Sequence, residues 1–299
     1  MYHLIRLRKS VCAAAVICLF LILGSTFMIC AVDRPAEATT SRSGTEEAGI
    51  DLPIIMYHSL LKEEKRQGKF VVSPDTFEQD LLYLKDKGYT TIVIQDLINY
   101  VRAGTPLPKK PIMLTFDDGY YNNYVYAYPL LKKYGCKMVL SAVGSFTEEY
   151  SRNGDRHANY SYVTWADLKE MISSGLVEVQ NHTYDMHGTN GKRKGAMKVS
   201  GETLDHYKSA LSADITKMQT VMKEQTGYAP TAFTYPFGAV SKEALPILKE
   251  LGFQATLVCE SRINHITRNP ECLFGLGRYL RPAGVESAVY FSKTVKLTD

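Results

Sequence analysis

Short apolar runs with little internal polar alternation recur along the chain, separated by stretches whose apolar positions repeat every three or four residues. Asp51–Leu60 (DLPIIMYHSL) predicts a strand ending in Tyr57 and His58. After a charged loop, a helix opens with Ser73 as N-cap and Pro74 in its first turn, presents Phe77, Leu81 and Leu84 on one face, and stops at Gly88. Thr90–Ile94 is β-branched and predicts the next strand, QDLINYVRAG the next helix, and PIMLTF another strand entered through a proline-marked loop. YYNNYVYAYPLLKKYG has helical spacing, with Pro129 expected to bend or restart it. CKMVLSAV is strand-like, Thr164 and Asp167 form a capping box for a helix ending at Gly175, and LVEVQ is a strand. Leu204, Tyr207, Leu211, Ile215, Met218 and Met222 line a long helix that ends near Gly227, and AFTYPFG, SKEALPILKELG and FQATLV give strand, helix, strand.

Strand and helix thus alternate about six times, and non-alternating apolar strands mark a parallel sheet covered by helices. An irregular or incomplete (β/α) barrel fits this α/β pattern at least as well as an open doubly wound sheet. In either, ligands bind beyond the carboxyl ends of the strands. Polar residues gather there from four strands: Tyr57 and His58; Asp117 and Asp118; Asn181, His182, Asp185 and His187; Tyr235 and Gly238.

The N-terminus is different. Arg6, Arg8 and Lys9 precede a stretch without charge from Ser10 to Val32, which predicts a signal peptide or membrane anchor over 1–32 and puts the remainder outside the cytoplasm. Residues 33–50, rich in Ser, Thr, Ala, Glu and Gly, read as a linker, and 51–299 as one large α/β domain. Outside the leader, 32 basic residues face 31 acidic ones, so nucleic acid is a poor partner. Only Cys136, Cys259 and Cys272 lie beyond the leader, without C-x-x-C spacing, leaving a single Cys259–Cys272 bridge open. Glycine loops for nucleotides and the Gly-x-Ser-x-Gly elbow are absent, which removes a nucleotide cofactor and serine hydrolysis from consideration.

His182 and His187 are five residues apart, on opposite faces of a strand and roughly 140° apart on a helix, so they meet only if the chain turns between them. Two imidazoles and one carboxylate make a zinc-type site, with Asp117 or Asp118 as the carboxylate. The other aspartate, a few ångströms away, is within general-base reach of a water.

With TFDDG (Thr115–Gly119) and HTYDMH (His182–His187), the chain resembles the polysaccharide deacetylase family, the NodB-homology or carbohydrate esterase 4 family. The likeness runs from about Lys110 to Arg281, preceded by a front extension, 51–109, of the kind found in extracellular members. The resemblance implies a NodB-type barrel and metal-dependent, zinc-assisted removal of acetyl groups from an extracellular glycan containing N-acetylglucosamine. It assigns Asp117 as general base, Asp118, His182 and His187 as metal ligands, and the Tyr120 N–H to the oxyanion. TYPFG (Thr234–Gly238) resembles the groove-wall motif, which supplies Tyr235, Pro236 and Phe237. The arginine that opens that motif in many relatives is absent, and Arg278 is the candidate replacement that orients Asp117. The five-residue histidine spacing resembles the branch acting on exported poly-N-acetylglucosamine. The late histidine that protonates the leaving amine is missing, leaving His58, His265 or protonated Asp117 for that task. An O-acetyl esterase and a non-catalytic glycan-binding surface protein are the competing readings.

Overall fold

The computed structural model describes residues 49–189 and 193–297. The expected leader and nearly all of the expected linker lie outside the described residues, among which no helix is long and apolar enough to cross a membrane. Twelve strands occur among them: β1 (Ile50–Leu52), β2 (Ile54–Tyr57), β3 (Ser59–Leu60), β4 (Val71–Val72), β5 (Thr90–Ile92), β6 (Pro111–Asp118), β7 (Met138–Ala142), β8 (Val177–Asn181), β9 (Ala232–Thr234), β10 (Ala255–Leu257), β11 (Asn264–Ile266) and β12 (Tyr279–Leu280).

Eight of these form one parallel sheet in the order β10-β9-β8-β7-β6-β2-β12, with β5 paired to the start of β6. All eight residues of β6 are buried, the physical reason its sequence does not alternate. The sheet curls until its edges approach each other. Leu276 N–H donates to Thr256 O at 2.8 Å and Arg278 N–H to Glu260 O at 2.8 Å, so the segment entering β12 also rides on β10. The result is the irregular, incompletely closed barrel that the strand pattern allowed and the resemblance implied. The front extension is integral to it, because β2 sits between β6 and β12.

Helices cover this sheet as expected, with instructive exceptions. α1 (Pro74–Asp86) is capped by Ser73 Oγ, which accepts from Thr76 N–H at 2.9 Å. Ile94, expected at the end of a strand, is instead the first residue of α2 (Ile94–Ala103). There the Asp96 carboxylate accepts the Val93 N–H at 3.1 Å, and this local cap outweighs β-branched propensity. Pro129 lies in the first turn of α3 (Tyr128–Tyr134), and the expected bend is a π-helical turn over Asn123–Ala127. α4 (Gly144–Asn153) was not predicted: only Gly144 and Thr147 are buried, so its sequence carries no apolar period. α5 (Trp165–Ser173), α6 (Leu204–Thr226) and α7 (Ala244–Glu250) complete the layer. The Cys259–Cys272 bridge is not formed; both thiols are free.

Two buried charged groups stand out. Arg281 Nε and Nη2 donate to Asp80 at 2.9 and 3.0 Å, and Tyr57 O–H donates to the same carboxylate at 2.8 Å, joining α1, β2 and the end of β12. Glu178 on β8 accepts the Gln95 N–H at 3.0 Å, and burial pushes its carboxyl up to about 7 against that bond. A raised acid keeps its proton longer in the folded state, so the stability it contributes is present at low pH and lost between about pH 4.5 and 7. Glu178→Gln is therefore expected to flatten the pH dependence of stability and to gain on the order of 1–3 kcal/mol at pH 8. Thermal unfolding at pH 5 and pH 8 checks this; an unchanged difference between the two would contradict it.

Candidate metal centre and active site

β6, β8 and β2 deliver Asp117 and Asp118, His182, and His58 to one end of the barrel. Asp118 and Gly119 turn the chain sharply off β6, at φ 71° and 77°. Aspartate is among the few non-glycine residues that tolerate this region, so the pair supplies both a turn and a carboxylate. Thr183, at φ 74°, performs the equivalent reversal after His182. Its carbonyl accepts the Gly144 N–H at 3.1 Å, and the Tyr184 carbonyl accepts the Ser145 N–H at 2.6 Å. Asp214 of α6 accepts the Tyr184 and Asp185 N–H groups at 2.8 and 2.7 Å. The first turn of α4 and one carboxylate of α6 therefore clamp the loop that swings His187 back toward His182. Only glycine fits at 144, since a Cβ there would meet Tyr184 Cδ2 at 2.5 Å.

The convergence is close. Asp118 Oδ1 lies 3.5 Å from His182 Nε2 and 3.1 Å from His187 Nε2, and one donor atom from each residue falls within 4.8 Å of the others. His182 Nδ1 is 2.8 Å from the Thr234 carbonyl, which requires a proton on Nδ1 and makes Nε2, the nitrogen that faces Asp118, the one available for ligation once it is deprotonated. Burial opposes the Asp118 charge, but hydrogen bonds from His182 and His187 outweigh it and hold the carboxyl well below its usual range. Two imidazoles with one carboxylate, one imidazole locked in the ligating tautomer, fit a divalent cation that favours nitrogen and oxygen donors.

Asp117 is held apart from this set. Arg278 Nη1 and Nη2 donate to its two oxygens at 2.7 and 2.8 Å, and Arg278 Nε donates to Val258 O at 3.0 Å. Both side chains are buried. Burial raises the cost of the Asp117 charge, yet Arg278 more than offsets it and keeps the carboxyl below its usual range. One carboxylate thus faces the histidines and the other a guanidinium, which removes the repulsion expected between neighbours.

A cleft of about 600 Å³ opens over both, lined by His58, Phe70, Tyr120, Phe237 and Cys259 among others. A second cleft of about 620 Å³, beside α1 and residues 285–288, contains none of the candidate site residues. Tyr120 bridges to Tyr162, but the two bonds come from the Tyr121 and Val163 N–H groups, so neither uses the Tyr120 N–H. His58 Nδ1 is buried without a partner among the described residues, its ring rests on Phe70 at 4.9 Å, and burial pushes its pKa down. Of the groove-wall motif only Phe237 lines the cleft, its ring 4.6 Å from that of His187. Tyr235 does not. It is buried behind the wall against Phe233, with Pro236 also buried, because the motif turns through Phe237 at φ 59°. His265 is excluded from the site: it sits on β11 and pairs with Asp51 at 3.0 Å. Phe70 and Cys259 escaped sequence reasoning because each stands in a polar loop without a motif around it.

Fold and cleft together define a class: a parallel α/β barrel with a two-histidine, one-carboxylate set at the carboxyl ends of its strands. The chain belongs to the polysaccharide deacetylase family, whose model matches residues 104–256. It is 27% identical over 225 residues to a poly-beta-1,6-N-acetyl-D-glucosamine N-deacetylase of Escherichia coli (strain K12), an alignment covering 69% of this chain and 34% of that protein. The chain thus spans about a third of that relative's length. Among solved structures, a de-N-acetylase from Aggregatibacter actinomycetemcomitans superposes with a TM-score of 0.68 at 27% identity, covering 79% of this chain and 97% of that one. IcaB from Ammonifex degensii gives a TM-score of 0.66 at 26% identity over 79% of this chain and 93% of that one. His58, Phe70 and Arg278 all lie outside the family-matched stretch.

Proposed function

We propose that this protein is a metal-dependent polysaccharide N-deacetylase that acts outside the cell on a glycan containing N-acetylglucosamine and releases acetate. The observation that carries the reading is the split pair of aspartates, Asp118 against two histidines and Asp117 against Arg278. Asp118, His182 and His187 would hold one divalent cation, most simply zinc. When bound, such an ion polarises an acetamide carbonyl and acidifies water. Asp117, ionised and fixed by Arg278, accepts the proton of the attacking water. The Tyr120 N–H donates to the oxygen that gains charge as the carbonyl carbon becomes tetrahedral. His58 faces the same cleft and is the candidate that returns a proton to the leaving amine. Phe237 forms the wall against which a sugar ring lies, backed by Tyr235 and Pro236.

The name of the Escherichia coli relative supports poly-N-acetylglucosamine as the first polymer to test. Acetate release from N-acetylglucosamine oligomers is expected to vanish on chelation and return with zinc. No release from a panel of N- and O-acetylated glycans would refute the enzyme, and release from O-acetylated xylan alone would make it an esterase. His58→Ala is expected to lower kcat by about 10²-fold with little change in thermal stability. Equal turnover of the two proteins would remove His58 from the mechanism and leave the proton return to Asp117.

A further inference from the structure

His58 stands at a break between two sheets. β2 ends at Tyr57 within the barrel, and β3 begins at Ser59 in the separate pair with β4, so His58 belongs to neither strand. Its ring is lightly held: Nδ1 has no partner among the described residues, and the Phe70 ring beside it is 47% exposed. The backbone is gripped instead. The His58 carbonyl accepts from Asn123 Nδ2 at 2.8 Å. Asn122 takes the next two residues: its Oδ1 accepts the Leu60 N–H at 2.9 Å, and its Nδ2 donates to Ser59 Oγ and to the Ala158 carbonyl, both at 2.9 Å. Both asparagines are fully buried.

Asn122 and Asn123 follow closely on Asp118 in the chain. The Asn123 N–H donates to the Tyr120 carbonyl at 3.0 Å, closing the turn that leads from TFDDG into the π-helical segment. One short turn therefore carries the Asp118 carboxylate, the Tyr120 N–H and the amide that holds His58. Packing alone does not account for that amide. A carbonyl can only accept, so Asn123 must present its nitrogen to His58, and its Oδ1 is left buried without a partner among the described residues. An orphaned buried acceptor is destabilising, and an apolar side chain of similar size would avoid it. What the amide adds, and an apolar residue cannot, is the donor to the His58 carbonyl.

We propose that Asn123 is a positioning residue, which fixes His58 relative to Asp118 and Tyr120 so that its imidazole can return a proton to the leaving amine. The inference rests on the part given to His58 in the proposed reaction. Asn123 acts through the His58 backbone alone; no bond forms or breaks at Asn123 itself.

The test measures kcat and KM for acetate release from N-acetylglucosamine oligomers, using the full chain with zinc. Asn123→Ala is expected to lower kcat about tenfold and to leave KM within about twofold of the parent. Asn123→Leu, which keeps the volume but has no donor, should show the same loss. In a His58→Ala background, Asn123→Ala should lower kcat no further, because the group it positions is gone. Thr203→Ala removes the cap of α6, where Thr203 Oγ1 accepts the His206 N–H at 3.3 Å, and should keep the parent kcat despite its lower stability. A second readout needs no turnover. With ¹⁵N-labelled histidine, the His58 ring signals, identified by their loss in His58→Ala, are expected to move or broaden in Asn123→Ala while those of His182 and His187 stay in place. Parent kcat in both Asn123 variants, an equal further loss in the His58→Ala background, or unmoved His58 signals would each overturn the proposal. Full turnover in His58→Ala would refute the proton-return reading itself, and the positioning role with it.

Discussion

Asp118→Ala is expected to abolish acetate release, by about 10³-fold or more, and to remove the bound metal with it. Among the described residues Asp118 contributes the only carboxylate grouped with both His182 and His187, and two neutral imidazoles alone hold a divalent cation weakly. The substitution also removes a buried charge that the histidines offset, so the fold should survive it. Metal content by mass spectrometry and acetate release are measured together. A variant that keeps stoichiometric zinc would show that the cation sits elsewhere, and the proposed mechanism would fall.

Asp117→Asn should produce a different loss: kcat lower by about 10²–10⁴-fold with metal content unchanged. The asparagine still offers Arg278 one acceptor oxygen but cannot take a proton from water. Arg278 is fully buried, so the lost charge partner also costs stability, up to about 3–5 kcal/mol if the asparagine makes no compensating bond. Turnover must therefore be compared below the unfolding transition of the variant. If zinc leaves together with activity, the two aspartates have exchanged roles. If kcat is untouched, neither Asp117 nor its salt bridge is the base.

The two variants separate jobs that adjacency in sequence blurs. Asp117 and Asp118 share the end of one strand, yet their side chains leave on opposite sides and meet opposite partners. Positive φ at Asp118, Thr183 and Phe237 marks three corners of the same cleft, and such conformations cost on the order of 1–3 kcal/mol each. The surrounding bonds that hold them, from α4 and Asp214 to the loop after His182, are what the fold spends on keeping the site in register.

Much of this was legible in the residues. Apolar runs without alternation meant a parallel sheet buried on both faces, and strand-end polar residues named Asp117, Asp118, His182 and His187, since a parallel α/β sheet exposes chemistry only where its strands stop. Caps at Ser73 and Thr164 were readable because a hydroxyl before a helical period is a local signal. What local signals do not contain, tertiary structure decided. Arg278 is 161 residues from Asp117 in sequence, and only closure of the sheet through β12 brings its guanidinium to that carboxylate. The five-residue histidine spacing became a single site because α4, a helix without apolar period, fastens the loop between them. Phe70 became a wall of the cleft and His265 was carried to the other side of the domain by pairing of β3 with β4 and of β1 with β11. Sequence specifies which groups can do chemistry through their type and local period; which of them meet depends on long-range pairing, whose free energy belongs to the whole sheet and to no single stretch of it.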